Sequence, residues 1–183
     1  SRSTLVLECR VVSGRVVYLL GSVEPSLTAA AAVLSTVMPG THTLRNDIER
    51  RPLARAVTLS VRGTERSLRH DQVEATIQAV LAAATGASTN GTEVVIQLIL
   101  GDRRRASTPS NPPSSARTFF SPPPRTAEAQ SALRVKLAEP SFGCVIRLGT
   151  TSQSSSGLKG IYRALGTLQA AGVGFRVKAE SPA

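Results

Sequence analysis

Tryptophan is absent, and phenylalanine and tyrosine together make up 3% of the 183 residues. A chain this poor in aromatics lacks the usual platform for stacking single-stranded bases. Its core must be built from aliphatic side chains. Cysteine is nearly missing as well. Cys9 and Cys144 each sit in an apolar, alternating run, with no second Cys or His at metal-ligand spacing. Both read as small buried hydrophobes, with a disulfide between them left open. The two histidines, His42 and His70, fall in turn-like segments among Thr or Arg. There a solvated ring is expected, not a general acid or base with an orienting partner. No apolar run approaches the roughly 20 residues of a membrane span and no secretory leader is visible, so the chain reads as soluble.

Catalytic signatures are missing too. There is no G-x-x-x-x-G-K-[ST] phosphate loop and no G-x-S-x-G elbow. The stretch from Ser154 through Gly157 to Lys159 and Gly160 lacks the spacing that cradles phosphates, and reads as a helix start. Gly172-Val173-Gly174 precedes a strand where a dinucleotide loop would link strand to helix, so it is expected to stop a helix. Carboxylates are sparse, and Asp47 and Glu49 are flanked by Arg as surface ion pairs would be. The expectation is a chain that is not itself an enzyme, with no catalytic residue, cofactor or metal. A site assembled only in the fold, for example at an oligomer interface, remains the alternative. A pocket pairing His42 or His70 with a carboxylate would signal it.

What the chain does have is arginine. Basic residues number 22 against 12 acidic, a net charge of +10, and only Lys136, Lys159 and Lys178 are lysine. Positive charge of this size favours polyanions, although Arg and Ala richness also follows from a GC-rich coding sequence. One cluster comprises Arg45, Arg50, Arg51 and Arg55, continuing to Arg62, Arg66 and Arg69. A second, Arg103, Arg104 and Arg105, follows the most apolar strand. Guanidinium groups bind phosphate bidentately, so either cluster suits a nucleic-acid backbone or another anionic partner. The competing reading is a solvated loop paired with nearby Glu and Asp.

Periodicity gives the organisation. Residues 4–12 and 15–22 read as a hairpin turning at Gly14. A helix opens near Pro25 and stops at Pro39-Gly40. Residues 56–63 alternate as a half-buried strand. Asp71 and Glu74 resemble a capping box for a helix to about residue 84, with Val73, Ile77, Val80 and Leu81 inward. Residues 92–100 form the most apolar strand. Residues 103–125 hold most of the prolines, with Phe119-Phe120 as a candidate docking motif, and read as a flexible insertion. A helix over 126–138, a strand over 142–149, a helix over 155–171 and a strand over 173–178 complete the chain. The expected class is α+β. Residues 51–183 follow the β-α-β-β-α-β order of a ferredoxin-like fold interrupted by the 103–125 insertion, and residues 1–50 form a smaller, related β-β-α unit ahead of it.

Several stretches resemble the region preceding the motor in actinobacterial type IV secretion and conjugative transfer ATPases, HerA–FtsK-like proteins related to coupling proteins. They are LVLECRV (5–11), RRPLARAVTLSVRG (50–63), TEVVIQLILG (92–101) and KLAEPSFGCVIRLGTTS (136–152). The last carries a K-x-x-E-P-x-F-x-x-x-x-R-L-G pattern in Lys136, Glu139, Pro140, Phe142, Arg147, Leu148 and Gly149. The resemblance implies a non-catalytic accessory or assembly domain on the cytoplasmic side of a bacterial membrane. Its phosphate loop and Mg²⁺ carboxylate would lie elsewhere in the parent protein. The implied partners are protein subunits of the machine, with DNA and a second copy of the chain as further candidates. Membrane contact would come only through other parts of the parent. The alternative is a stand-alone basic ferredoxin-like domain that binds nucleic acid.

Overall fold

The computed structural model describes residues 4–40, 50–63, 67–107 and 127–180. Along the chain run β1 (Leu5–Val12), β2 (Arg15–Gly21), α1 (Glu24–Val37), β3 (Arg55–Arg62), α2 (Val73–Ala87), β4 (Glu93–Arg104), α3 (Ala127–Ala138), β5 (Ser141–Thr150), α4 (Ser156–Leu165) and β6 (Gly174–Glu180). The strands form one six-stranded sheet in the order β2-β1-β4-β5-β3-β6, every pair antiparallel. The protein is therefore α+β. The hairpin β1-β2 joins the sheet through β1, which pairs with β4 from Leu5 to Val12.

Side chains alternate across a sheet with period two, so the registers define both faces. On one face a row runs Leu7, Leu98, Ile146, Leu59 and Val177, and the next runs Cys9, Ile96, Leu148, Val57 and Ala179. Against this face pack α2 and α4, side by side. Together they enclose Val11, Leu59, Val80, Ala84, Val94, Leu148, Leu158, Ile161 and Phe175. The core is aliphatic but for Phe175, in line with the composition. The opposite face carries the alternate residues. One row there reads Leu19, Glu8, Gln97, Arg147, Thr58 and Lys178.

The hairpin turn is fixed from two sides. Ser13 and Gly14 both have positive φ, 48° and 77°, the sign pattern of a type I′ turn, whose twist matches the strands it joins. Their backbone N–H groups donate to the carbonyl oxygen and the Oγ of Ser88, each at 3.2 Å. Ser88 is fully buried at the end of α2. The hairpin tip is thus fastened to the helix layer as well as to the sheet.

Several expectations change. In α2 the inward residues are Thr76, Val80 and Ala84, while Val73 and Ile77 are exposed. The cause is the close approach of α4. A Cβ on Gly157 would fall 2.5 Å from the Ala87 Cβ, and one on Gly160 would lie 3.8 Å from the Ala83 Cβ. The Thr76 and Thr167 hydroxyls meet at 2.6 Å. Small side chains must face that seam, so the bulky ones turn outward. Asp71 does not cap α2. Gln72 stands at the cap without a side-chain bond, and the Asp71 carboxylate is taken by Arg69 Nε and Nη2 at 3.1 and 2.6 Å. That exposed pair holds the Asp71 carboxyl at about 2, mainly through the Arg69 hydrogen bond. The helix expected over 155–171 ends at Leu165, continues as a 3-10 turn over Gly166–Leu168, and gives way to a turn in which Gly172 has φ 80°. Strand β4 runs on to Arg104 past a bulge between Leu100 and Arg103, so the first two residues assigned to the insertion belong to the sheet. Cys144 is exposed, and Cys9 is half-buried. They lie on strands separated by β4, four residues apart in register, too far for a disulfide.

The packing ranks the helix and strand positions. Leu148→Ala is expected to lower the unfolding free energy by about 2–5 kcal/mol, because a fully buried side chain leaves a cavity. Ile77→Ala should change it by less than about 0.5 kcal/mol, since the side chain is exposed. Urea titration followed by circular dichroism checks both. A larger loss for Ile77→Ala would restore the inward face expected from periodicity.

Candidate functional site

Two polar groupings lie on the sheet face opposite α2 and α4. The first is buried. Arg10 Nε donates to Glu8 Oε1 at 2.5 Å, Arg10 Nη1 donates to Glu93 Oε1, and Gln97 Nε2 donates to Glu8 Oε2. Glu8, Arg10 and Glu93 are each less than a tenth exposed. The registers explain the meeting: Glu8 is opposite Gln97, and Arg10 is diagonal to Glu93 across β1 and β4. Arg50 approaches Glu8 Oε2 at 4.0 Å. Burial alone would raise the Glu8 pKa. The hydrogen bonds from Arg10 and Gln97, with the charges of Arg10 and Arg50, outweigh it and hold the carboxyl below its ordinary 4.5. Each buried charge has a partner, so this grouping is a structural ion cluster.

The second grouping is exposed. Arg147 on β5, Thr58 on β3 and Lys178 on β6 are cross-strand neighbours, and Ser60 and Arg176 form the next row. Arg62 ends β3 on the same face. Arg62, Arg147, Arg176 and Lys178 are all exposed. At about 4.8 Å between strands, Arg147 and Lys178 stand roughly 10 Å apart at the backbone, with Arg176 about 7 Å along from Lys178. No described carboxylate pairs with Arg176 or Lys178. This half of the face is a cationic surface over polar Thr58 and Ser60.

The arginines singled out in the sequence lie in two separate groups where they are described. Arg45 and Arg66 lie outside the described residues, as do His42, Asp47, Glu49 and Phe119-Phe120. Arg51 is exposed ahead of β3, and Arg55 opens β3 with its Nε donating to the Gln153 carbonyl at 3.2 Å. Arg103 and Arg104 pair with Phe142 and Ser141 at the far end of β5, whereas Arg55 pairs with Thr150 at the near end. About nine residues of strand, roughly 30 Å, separate the two groups. Arg105 follows β4 directly and is exposed. The row that does assemble, Arg147, Arg176 and Lys178, comes from two strands distant in sequence, and register brings it together. The one sequence signal for it is alternation in β6, which puts Arg176 and Lys178 on one face.

A cleft of about 460 Å³ lies between the end of α2 and the start of α4, lined by Thr89, Thr92, Thr150, Ser152, Ser154 and Ser156 among others. No charged side chain lines it. Lys159 is not on its wall, and its backbone N–H donates to the Ser155 carbonyl within the first turn of α4. His70 is exposed. Among the described residues no group of His, Cys, Asp and Glu could hold a metal, and no helix is long and apolar enough to cross a membrane. Comparison of the chain with protein-family models, curated proteins and solved structures finds no match.

The ion cluster makes two predictions. Arg10→Met leaves Glu8 and Glu93 buried without their cation, and should cost about 3–5 kcal/mol of stability. Glu8 has a folded pKa below its ordinary value, so its contribution is complete above about pH 4.5 and is lost as pH falls through the lower folded value. Urea melts from about pH 7 to about pH 3 should therefore show an acid limb that Glu8→Gln flattens. An acid limb of unchanged slope in Glu8→Gln would assign it to other carboxylates.

Proposed function

We propose that this chain is a binding domain without chemistry of its own, built on a ferredoxin-like core that takes a nucleic-acid backbone on its open sheet face. The element order β3-α2-β4-β5-α4-β6 supports the core assignment. So do the strand neighbours β4-β5-β3-β6 and the placing of α2 and α4 together on one face. In this reading residues 1–50 are the smaller unit added at the β4 edge, and residues 103–125 interrupt the core between its second and third strands.

The observation that carries the binding reading is the exposed row of Arg147, Lys178 and Arg176, flanked by Arg62, on the face opposite α2 and α4. Such a surface suits phosphates and not bases. The two middle strands, β5 and β3, turn Val145, Arg147, Thr58 and Ser60 to that face, and none is aromatic. Base-reading sheets of this fold stack bases on aromatics there. Phe142 alternates to the other face, in register with Cys144 and Leu148.

The setting follows from the resemblance to the region ahead of the motor in type IV secretion and conjugative ATPases. There the domain would work by docking to neighbouring subunits and receiving DNA on the cytoplasmic side of the membrane. The stand-alone reading uses the same face and differs only in the absence of a motor.

Fluorescence-anisotropy titration with labelled single- and double-stranded DNA at several salt concentrations tests the proposal. Binding should weaken steeply with salt. Arg176→Ala with Lys178→Ala should lower the slope of log K against log salt by about 0.9 for each duplex phosphate that is no longer neutralised. Absence of binding at low salt overturns it. A slope altered only by replacing Arg103, Arg104 and Arg105 would move the binding surface to the end of β4.

A further inference from the structure

The outer edge of β2 is the least protected part of the sheet. β2 pairs only with β1, and among the described residues no strand lies beyond it. The type I′ turn makes Val12 and Arg15 a hydrogen-bonded pair, after which the pattern alternates. Val17, Leu19 and Gly21 therefore direct their backbone groups to β1. Val16, Tyr18 and Leu20 direct theirs outward. Val16 and Val17 are each 37% exposed and Tyr18 is 69% exposed. Native edges are usually blunted by Lys, Pro or a bulge. Between Val16 and Gly21 there is no charge and no proline, and the register with β1 runs without a bulge.

We propose that β2 is the seam of a symmetric dimer, in which two copies pair β2 with β2 antiparallel about Tyr18. Two sheets of six strands would then continue as one of twelve. Self-complementarity is what selects a second copy as the occupant. With Tyr18 opposite its counterpart, Val16 faces Leu20, Val17 faces Leu19, and Arg15 faces Gly21. Every apolar residue meets an apolar residue on the same face, and the residues opposed as hydrogen-bonded pairs are those whose backbone groups point outward. The only charge on the strand lies at its end. The two Arg15 residues come to rest six positions apart, roughly 20 Å, beyond the Debye length of about 8 Å at physiological salt. A chain of net charge +10 thus brings no like charges together along this seam. Leu7, beside Leu20, and Cys9, beside Tyr18, widen the apolar strip on the helix side.

The seam is seven residues long, about 24 Å of edge, at the small end of specific interfaces. The dimer is accordingly concentration-dependent, with dissociation in the micromolar range. A two-fold axis normal to the sheet keeps corresponding faces on one side, so both cationic rows would point the same way. The dimer itself does not depend on the nucleic-acid reading.

Sedimentation equilibrium of the full chain without nucleic acid, from about 1 to about 200 µM, should show a monomer–dimer equilibrium. Tyr18→Pro removes an outward N–H that the β1 ladder does not use, and should shift the protein to monomer with its far-UV spectrum unchanged. Tyr18→Cys, made in a Cys9→Ala background because Cys9 is its partner on β1, places two thiols across the axis at a Cα separation of about 5.5 Å, inside the disulfide range. Mild oxidation should cross-link it far more completely than Val17→Cys or the unaltered protein. A monomer at every concentration overturns the proposal. So does a dimer that survives Tyr18→Pro, or equal cross-linking at positions 17 and 18.

Discussion

Strand β4 is held on both sides along most of its length, by β1 from Leu5 to Val12 and by β5 from Ser141 to Thr150. That double pairing makes the chain one sheet. The hairpin gains little from α1, in which no described residue is fully buried. Its order comes from β4, from Ser88 at the tip, and from the ion cluster that joins β1 to β4. Each link crosses between segments about eighty residues apart, so each is made only when the core is. Long-range links of this kind cost chain entropy before they contribute stability.

The same pairing divides the opposite face in two. At the β1-β4 end, two buried acids share one buried base, with exposed Arg50 approaching Glu8 at 4.0 Å. At the β5-β3-β6 end, the described charged side chains are all cations and all exposed. Both ends lie on one cross-strand row, from Glu8 through Gln97 to Arg147 and Lys178. Gln97 is the transition. Its amide nitrogen donates to Glu8, and Arg147 is its partner on β5. Farther along, no described carboxylate pairs with Arg176 or Lys178, and Glu180 follows Lys178 on the same face of β6.

Element types are readable wherever a segment has one dominant period. The alternation of 56–63 and the apolar run of 92–100 appear in the structure near the places periodicity puts them, and α4 turns Leu158 and Ile161 into the core. Faces are less readable where helix meets helix. Periodicity puts Ile77 inside, but the α2–α4 seam is narrow enough that Ala83, Ala87, Gly157 and Gly160 decide which side of α2 is buried. The two Arg clusters rest on adjacency along the chain, and their described members form two groups along β5. Arg55 and Arg103 end up at opposite ends of β5's length. Arg147 and Lys178, some thirty residues apart, end up as neighbours once removed. Glu8 and Arg10 stand in plain view as the polar side of β1, yet nothing local shows that Glu93 and Gln97 close over them.

The two outer edges of the sheet differ in a way that bears on assembly. At one end, β6 presents Arg176 and Lys178 along its length, the kind of charged edge that discourages further pairing. At the other, β2 from Val16 to Gly21 is uncharged. If both edges were adhesive, sheets could add end to end without limit, as heterologous contacts that do not close do. With one adhesive edge that is complementary to itself, association stops at two copies, and the charged β6 strands become the ends of the joined sheet. The cationic row and the apolar edge would then serve one another. In that arrangement the charge that would suit a polyanion at β6 would also confine self-association to β2.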